Sequence, residues 1–285
     1  MRMTLLMGAV AYDPKVVTIW GGFRSWFNEH GFPLDFVLYS NYERQAEDLA
    51  SGRIDAAWNS PLSWIRSRRL AEANGRRLTP LVMRDTDRDL TSVVVVRADS
   101  PYKDLADLKG ETIAVGAIDS PQATLLPCSF LAERGLRPGV DITVRRFDVG
   151  VGLHGDHIGG ERDAARALAA GTVAAACMID SNHLLFGREG TLAAGSTRVL
   201  AQTPRFDHCN MSVSDTVSAE VMRRFGDLLL SMSYVDPQVR PLFDLEGLTS
   251  WQSGRTSGYG ALEAAVDETS FYSREGAVTA AGYQP

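Results

Sequence analysis

The sequence predicts an α/β protein in two lobes, each a sheet covered by helices. Three observations predict it. The first 83 residues alternate apolar strand-like runs with amphipathic helical runs. Four consecutive valines, Val93–Val96, form the centre of a long apolar strand, Thr91–Arg97, that interrupts this rhythm. A second strand–helix series then opens at Thr112. Such alternation implies an open parallel sheet whose ligands gather at the carboxyl ends of its strands.

Taken in order, Leu5–Ala11 reads as a strand and Val16–Glu29 as a helix, with Ile19, Trp20, Phe23, Trp26 and Phe27 at helical spacing. Gly31-Phe32-Pro33 stops that helix. Strand Leu34–Tyr39, helix Tyr42–Ser51 closed by Gly52, strand Ile54–Trp58, helix Ser60–Ala73 with Pro61 in its first turn, and strand Leu78–Met83 complete the first series. Thr91–Arg97 reads as a lobe-crossing hinge strand. After it come a short helix at Ser100–Leu108, strand Thr112–Gly116, helix Pro121–Arg134, strand Asp141–Phe147, helix Gly160–Ala170 and strand Val173–Ile179. Val199–Gln202 is expected to return the chain to the first lobe. Ala219–Ser233 reads as a helix, and the tail Asp267–Pro285 as partly loose.

Composition narrows the function classes. The chain has 285 residues, 45% hydrophobic and 22% charged, enough to bury a sizeable core. A net charge of −6 speaks against a general nucleic-acid binder, while a local site for an anion remains compatible with it. Only Lys15, Lys103 and Lys109 are lysines, so the basic residues are overwhelmingly arginine, which reads as codon bias rather than phosphate binding. Cys128, Cys177 and Cys209 are odd in number and far apart, which favours reduced thiols over a disulfide framework. The N-terminal apolar run Met1–Val10 leads straight into Tyr12-Asp13-Pro14 and reads as a first buried strand rather than a signal peptide. The resulting expectation is a cytoplasmic protein. The alternative is a periplasmic or lipid-anchored one whose leader has been removed. No run approaches 18 apolar residues, so no membrane insertion is expected.

Three stretches carry a family resemblance. Leu49–Leu62 (LASGRIDAAWNSPL) resembles the helix, Gly-x-hydrophobic-Asp, strand, small-Pro segment of phosphonate-binding proteins. Thr91–Gly116, with Ser100-Pro101-Tyr102-Lys103-Asp104-Leu105-Ala106-Asp107-Leu108-Lys109-Gly110, looks like the entry to the second lobe of that superfamily. Asp163–Asp180 is similar to the second lobe's repeat of the first pattern. The resemblance spans about residues 1–265. It implies a type II periplasmic-binding-protein (Venus-flytrap) fold of the phosphate/phosphonate-binding group, with the ligand site in the interlobe cleft. Lobe 1 would comprise residues 1–92 and 203–285, and lobe 2 residues 93–202. In phosphonate binders the loop after the residue corresponding to Gly116 is rich in Ser and Thr and opens a helix whose amides hold the phosphonate. Here it reads Ala117-Ile118-Asp119-Ser120-Pro121-Gln122-Ala123-Thr124. Ser120, Gln122 and Thr124 are candidate ligand contacts. Asp119 either repels a dianion or caps the helix, the cap being the favoured reading, so a monoanion or a neutral polar ligand suits this loop as well as a phosphonate.

The same placement singles out other residues. His154 and His157, three apart in the glycine-rich loop Gly150–Gly160, are candidates for a divalent metal, for proton transfer or for ligand contact. His208 and Cys209 follow the return strand. As strand neighbours they are expected to face apart, so that one of them meets the ligand. Asp180 and His183 follow a strand end, as do Asn59, Ser60 and Tyr12, and Trp58 is placed to stack on a planar ligand or to fill the core. No G-x-S-x-G, P-loop, H-E-x-x-H or dinucleotide fingerprint is present.

Two functions follow. Superfamily relatives include cytoplasmic lyases and a decarboxylase. The apparent lack of a signal, the cysteine count and the four histidines that the resemblance places near the cleft (His154, His157, His183 and His208) favour an enzyme of that biosynthetic kind, with His208, His157, His154 and Cys209 as catalytic candidates. The alternative is a non-catalytic binding protein of a phosphonate-type transporter, or a sensor. Either way the partner is a small polar or anionic molecule.

Overall fold

The computed structural model describes residues 4–285. Its strands form two mixed sheets with helices interleaved, and the chain divides into two compact units. Unit 1 comprises residues up to Arg88, Asp207–Tyr259 and Tyr272–Thr279, and unit 2 comprises Asp89–Phe206, Gly260–Phe271 and Ala280–Pro285. The boundary expected near residue 92 therefore falls at 88/89, and the one near 203 at 206/207. Two C-terminal segments group with the middle of the chain rather than with unit 1.

Unit 1 is built on β1 (Leu5–Val10), β2 (Leu34–Tyr39), β3 (Ala56–Asn59) and β4 (Leu78–Arg84), with α1 (Lys15–Glu29), α2 (Tyr42–Ser51) and α3 (Pro61–Ala73) between them. α1 buries Val16, Ile19, Trp20, Phe23, Trp26 and Phe27, the stripe visible in the sequence. Asn41 caps α2 by accepting from the Arg44 amide, and Gly52 ends it with a left-handed φ of 73°, a conformation that favours glycine. Ser60 caps α3, and Pro61 sits in its first turn, where its missing N–H costs nothing. β1 pairs in parallel with β2 and β3.

Unit 2 holds β5 (Ser92–Arg97), β6 (Thr112–Val115), β7 (Thr143–Arg146), β8 (Ala175–Ile179) and β9 (Thr197–Gln202), in the order β7-β6-β8-β5-β9. The four valines of β5 alternate faces. Val93 and Val95 join one apolar cluster, Val94 and Val96 the other. A strand buried on both faces explains the unbroken apolar run. β5 is thus an inner strand of this sheet, antiparallel to β8 and β9, rather than a crossing segment.

The return strand of unit 1 is β10 (Asn210–Ser214), inserted antiparallel between β3 and β4. It makes a sheet expected to be parallel mixed. β11 (Trp251–Ser253) then closes the β4 edge.

Two further departures have clear causes. The helix expected at Pro121–Arg134 is a π turn, Pro121–Leu125, followed by α4 (Leu126–Ala132). Pro127 has no amide to continue regular α bonding back to Ala123. The tail is ordered in packing, not loose. Within unit 1, Tyr272 is buried and its hydroxyl donates to Glu43, while Arg66 donates to the Gly276 carbonyl. Within unit 2, the Phe271 and Tyr283 rings lie 4.9 Å apart. Large aromatic side chains anchor a segment whose backbone pattern alone reads as coil. Among the described residues no helix is long and apolar enough to cross a membrane.

Candidate functional site

In unit 1 the carboxyl end of β3 delivers Asn59 and Ser60, both fully buried. Asn59 is the hub of a polar network. Its Nδ2 donates to Ser212 Oγ at 3.0 Å, and its Oδ1 accepts from Ser63 Oγ at 2.9 Å and from Gln45 Nε2 at 3.1 Å. Ser212 donates on to Asn210 Oδ1, Asn210 to the Tyr259 hydroxyl, and that hydroxyl to the His208 carbonyl at 2.8 Å. Ser60 Oγ accepts from the Ser63 amide and so caps α3. Asn59 and Ser60 are therefore spent on fixing strand ends together. Trp58 is likewise core: it is 4% exposed, with Trp251 at 5.5 Å, Trp20 at 6.3 Å and the Arg84 guanidinium 5.4 Å above its ring. That packing leaves its face no room to stack on a ligand. Tyr12 is half-buried at the end of β1, with Lys15 Nζ 5.7 Å from its ring.

Beside this network lies a second cluster that the sequence did not reveal as a whole. Arg84, at the end of β4, grips Asp87 with both fork nitrogens, Nε to Oδ2 at 2.6 Å and Nη2 to Oδ1 at 2.7 Å, and its Nη1 reaches Glu246. Burial alone would raise the Asp87 carboxyl, yet the Arg84 charge and hydrogen bonds hold it down at about 2. His208 Nδ1 lies 3.1 Å from Cys209 Sγ and 3.6 Å from Asp87 Oδ1. The two neighbours expected to face apart thus touch. They precede β10, where the chain is irregular and strand alternation does not apply. Asp207, locked by two 2.6 Å bonds from Arg255, fixes the chain just before them.

In unit 2 the loop after β6 carries Ser120, Gln122 and Thr124, the candidate ligand contacts, and Asp119. Ser120 is the helix cap, accepting from the Ala123 amide at 3.2 Å. Asp119, expected as the cap, instead accepts from the Gly152 and His154 amides and ties down the glycine-rich loop. Burial drives its carboxyl above the ordinary value, against the pull of His154 and these amides. Gln122 Nε2 donates to the Gly155 carbonyl and to Glu161 Oε1, and Glu161 Oε2 accepts from the Ile179 amide and Asn182 Nδ2. Glu161 was not singled out by the sequence, since a Glu in a helix beside other charges looks solvated. Asp119 Oδ1, Gln122 Oε1 and Thr124 Oγ1 are buried and have no hydrogen-bond partner. Three such atoms within six residues are unusual, because buried polar groups are nearly always satisfied.

The histidines do not act as a group. His154 is fully buried, with Nε2 3.3 Å from the Tyr283 hydroxyl, whereas His157 is exposed and its Nδ1 accepts from the Gly159 amide. Neither residue belongs to a convergent group of three metal-type donors among the described residues. Asp180 accepts from Thr91 Oγ1, and His183 Nε2 lies 3.1 Å from Thr197 Oγ1, where burial lowers its pKa. Cys177 is core, and burial pushes the Cys128 thiol up to about 12. A cavity of about 640 Å³ opens in unit 1 among Leu5, Pro33, Asp55 and Asp215, and none of the candidate residues lines it.

Comparison with known proteins completes the picture. A family model described as the periplasmic substrate-binding protein of phosphonate ABC transporters matches residues 9–259. PhnD1 of Prochlorococcus marinus, solved with methylphosphonate, superposes with a TM-score of 0.69 at 14% identity, covering 95% of this chain and 99% of its own. XAC2383 of Xanthomonas citri, solved with ATP, gives 0.70 at 17% identity, covering 94% and 98%. The aliphatic sulphonate-binding protein SsuA of Escherichia coli gives 0.57 at 18% identity, covering 94% and 84%. These likenesses show a shared two-lobed periplasmic-binding-protein fold. With a family match over most of its length, the chain belongs to the phosphonate ABC-transporter substrate-binding family.

Proposed function

We propose that this protein is a substrate-binding component of a phosphonate-type ABC transporter, working on the periplasmic side, and that its ligand is a small oxyanion retaining one hydroxyl proton. The observation that carries the ligand class is the trio of unpartnered buried atoms, Asp119 Oδ1, Gln122 Oε1 and Thr124 Oγ1, on the loop at the carboxyl end of β6. Thr124 offers a hydroxyl donor to an anionic oxygen, while Gln122 and Asp119 offer acceptors to a P–OH. Burial disfavours the charged form of Asp119, which favours a ligand that brings a proton to share with this carboxyl. Of the two functions read from the sequence, the binding alternative has the family match behind it. The lyase-like biosynthetic reading has no matching support. Nor does Cys209 with His208 and Asp87 make a proton relay, because thiol and carboxylate face the same ring nitrogen.

Isothermal titration calorimetry with methylphosphonate, phosphate and methanesulfonate tests the reading. Methylphosphonate is expected to bind, and Thr124→Val to weaken it about tenfold, the loss of one buried hydrogen bond. Methanesulfonate, which brings no proton at neutral pH, is expected to bind more weakly. If none of the three binds, the oxyanion reading fails. Equal binding of sulfonate and phosphonate removes the shared proton.

A further inference from the structure

The cluster of Asp87, His208 and Cys209 in unit 1 plays no part in the proposed ligand site. Among the described residues it is the one group of three or more His, Cys, Asp or Glu side chains whose donor atoms all lie within 4.8 Å of one another, and all three residues are buried. We propose that these three side chains form a binding site for one borderline-soft divalent metal ion, of the zinc type.

Geometry supports it first. A tetrahedral ion with bonds of about 2.0–2.3 Å holds its donor atoms roughly 3.3–3.7 Å apart. His208 Nδ1 lies 3.1 Å from Cys209 Sγ, just under that spacing, and 3.6 Å from Asp87 Oδ1, within it. Both partners face the same nitrogen, so the three donors converge on one point. His208 Nε2 has no hydrogen-bond partner and only 8% of the residue is exposed, so no bond there dictates which nitrogen holds the proton, and the Nδ1 lone pair is available to a cation.

Charge supports it second. Arg84 contributes +1, and Asp87 and Glu246 contribute −1 each, which leaves −1 with Cys209 as a thiol and −2 with it as a thiolate. A divalent ion that displaces the thiol proton to solvent brings this buried group to zero. The bidentate hold of Arg84 on Asp87 orients the carboxylate, as hydrogen-bonded partners of metal ligands generally do. One thiolate, one imidazole and one carboxylate select an ion of the zinc type over calcium or magnesium, which want oxygen donors. The main chain already joins the two segments involved, since the His208 amide donates to the Asp87 carbonyl at 2.8 Å. A metal would clamp these segments by their side chains as well, next to the points at 88/89 and 206/207 where the chain leaves and re-enters unit 1.

The full chain, stripped with chelator and titrated with Co²⁺, tests the site. A near-ultraviolet thiolate-to-cobalt charge-transfer band should saturate at one equivalent. Cys209→Ser should abolish the band, His208→Asn should weaken binding about tenfold or more, and Cys128→Ser should leave both unchanged. Circular dichroism checks that each variant folds. If Cys209→Ser does not, alkylation of the wild type read by peptide mass spectrometry decides, because Zn²⁺ should slow modification of Cys209 and leave Cys128 unaffected. Absence of the band in the wild type, a band that survives Cys209→Ser, or no Zn²⁺ protection of Cys209 overturns the proposal. Oxyanion binding is measured separately, so either reading can fail alone.

Discussion

Replacing Asp87 by Asn perturbs the buried pair with Arg84 and has a pH signature that can be worked out. Arg84 is 17% exposed at its side chain and Asp87 1%, so solvent screens the pair little. Breaking a buried pair leaves an uncompensated charge and costs about 3–5 kcal/mol. Glu246 still engages Arg84, and Asn keeps one acceptor oxygen, so the low end, about 3 kcal/mol, is expected. The Asp87 carboxyl is held at about 2 against an ordinary 3.8. A tenfold change in proton affinity is worth about 1.4 kcal/mol, so ionisation of Asp87 stabilises the fold by about 2 kcal/mol. Its folded pKa is depressed. The contribution is therefore fully present above the unfolded value and is lost as pH falls from about 5 towards 2, roughly half of it being gone by pH 3. Urea unfolding of chelator-treated protein, followed by tryptophan fluorescence, reads this out, since Trp58 lies beneath Arg84. The gap between wild type and Asp87→Asn should be about 3 kcal/mol at pH 7 and shrink by about 1 kcal/mol at pH 3. A gap that does not change with pH, or one below about 1 kcal/mol at pH 7, refutes the assigned ion pair.

Two further outcomes are expected in unit 2. Asp119 has a raised pKa, so the stability linked to its proton is present below the unfolded value of 3.8 and is lost as pH climbs through the folded one. Asp119→Asn should therefore gain on the wild type in melting temperature as pH rises from about 4, and parallel profiles would contradict the desolvation argument. Gly155 has φ of +79°, and a Cβ there would lie 2.5 Å from Ser120 Oγ and 2.6 Å from Gln122 Nε2. Gly155→Ala should cost about 1–3 kcal/mol in stability and displace the loop proposed to hold the oxyanion, weakening methylphosphonate in calorimetry; an unaltered melting point and affinity would show that the loop adapts freely.

Much of the fold could be read from local pattern. The α1 stripe, Pro61 in the first turn of α3, the stop at Gly52 and the four-valine strand are properties of a few adjacent residues, and period and turn chemistry are written in sequence. The family resemblance was equally local, resting on three stretches with their spacing. The partners that bring distant segments together were not legible. Asp87 Oδ1 lies 3.6 Å from His208 Nδ1 and accepts from the Cys209 amide at 3.2 Å, yet Asp87 and Cys209 stand 122 residues apart in the chain and no neighbouring residue signals their meeting. Glu161 likewise becomes a buried acceptor for Gln122, Ile179 and Asn182 only when α5 (Gly159–Ala169) packs beside β6 and β8. Local pattern was thus enough for the strand–helix alphabet and the two-lobed class. It took the folded chain to show that Trp58 and Asn59 serve the core, that His154 is buried while His157 is exposed, and that His208 and Cys209 face Asp87. The difference is one of range: backbone hydrogen bonds and side-chain periodicity act within a few residues, whereas burial and charge pairing depend on which surfaces the folded chain brings together.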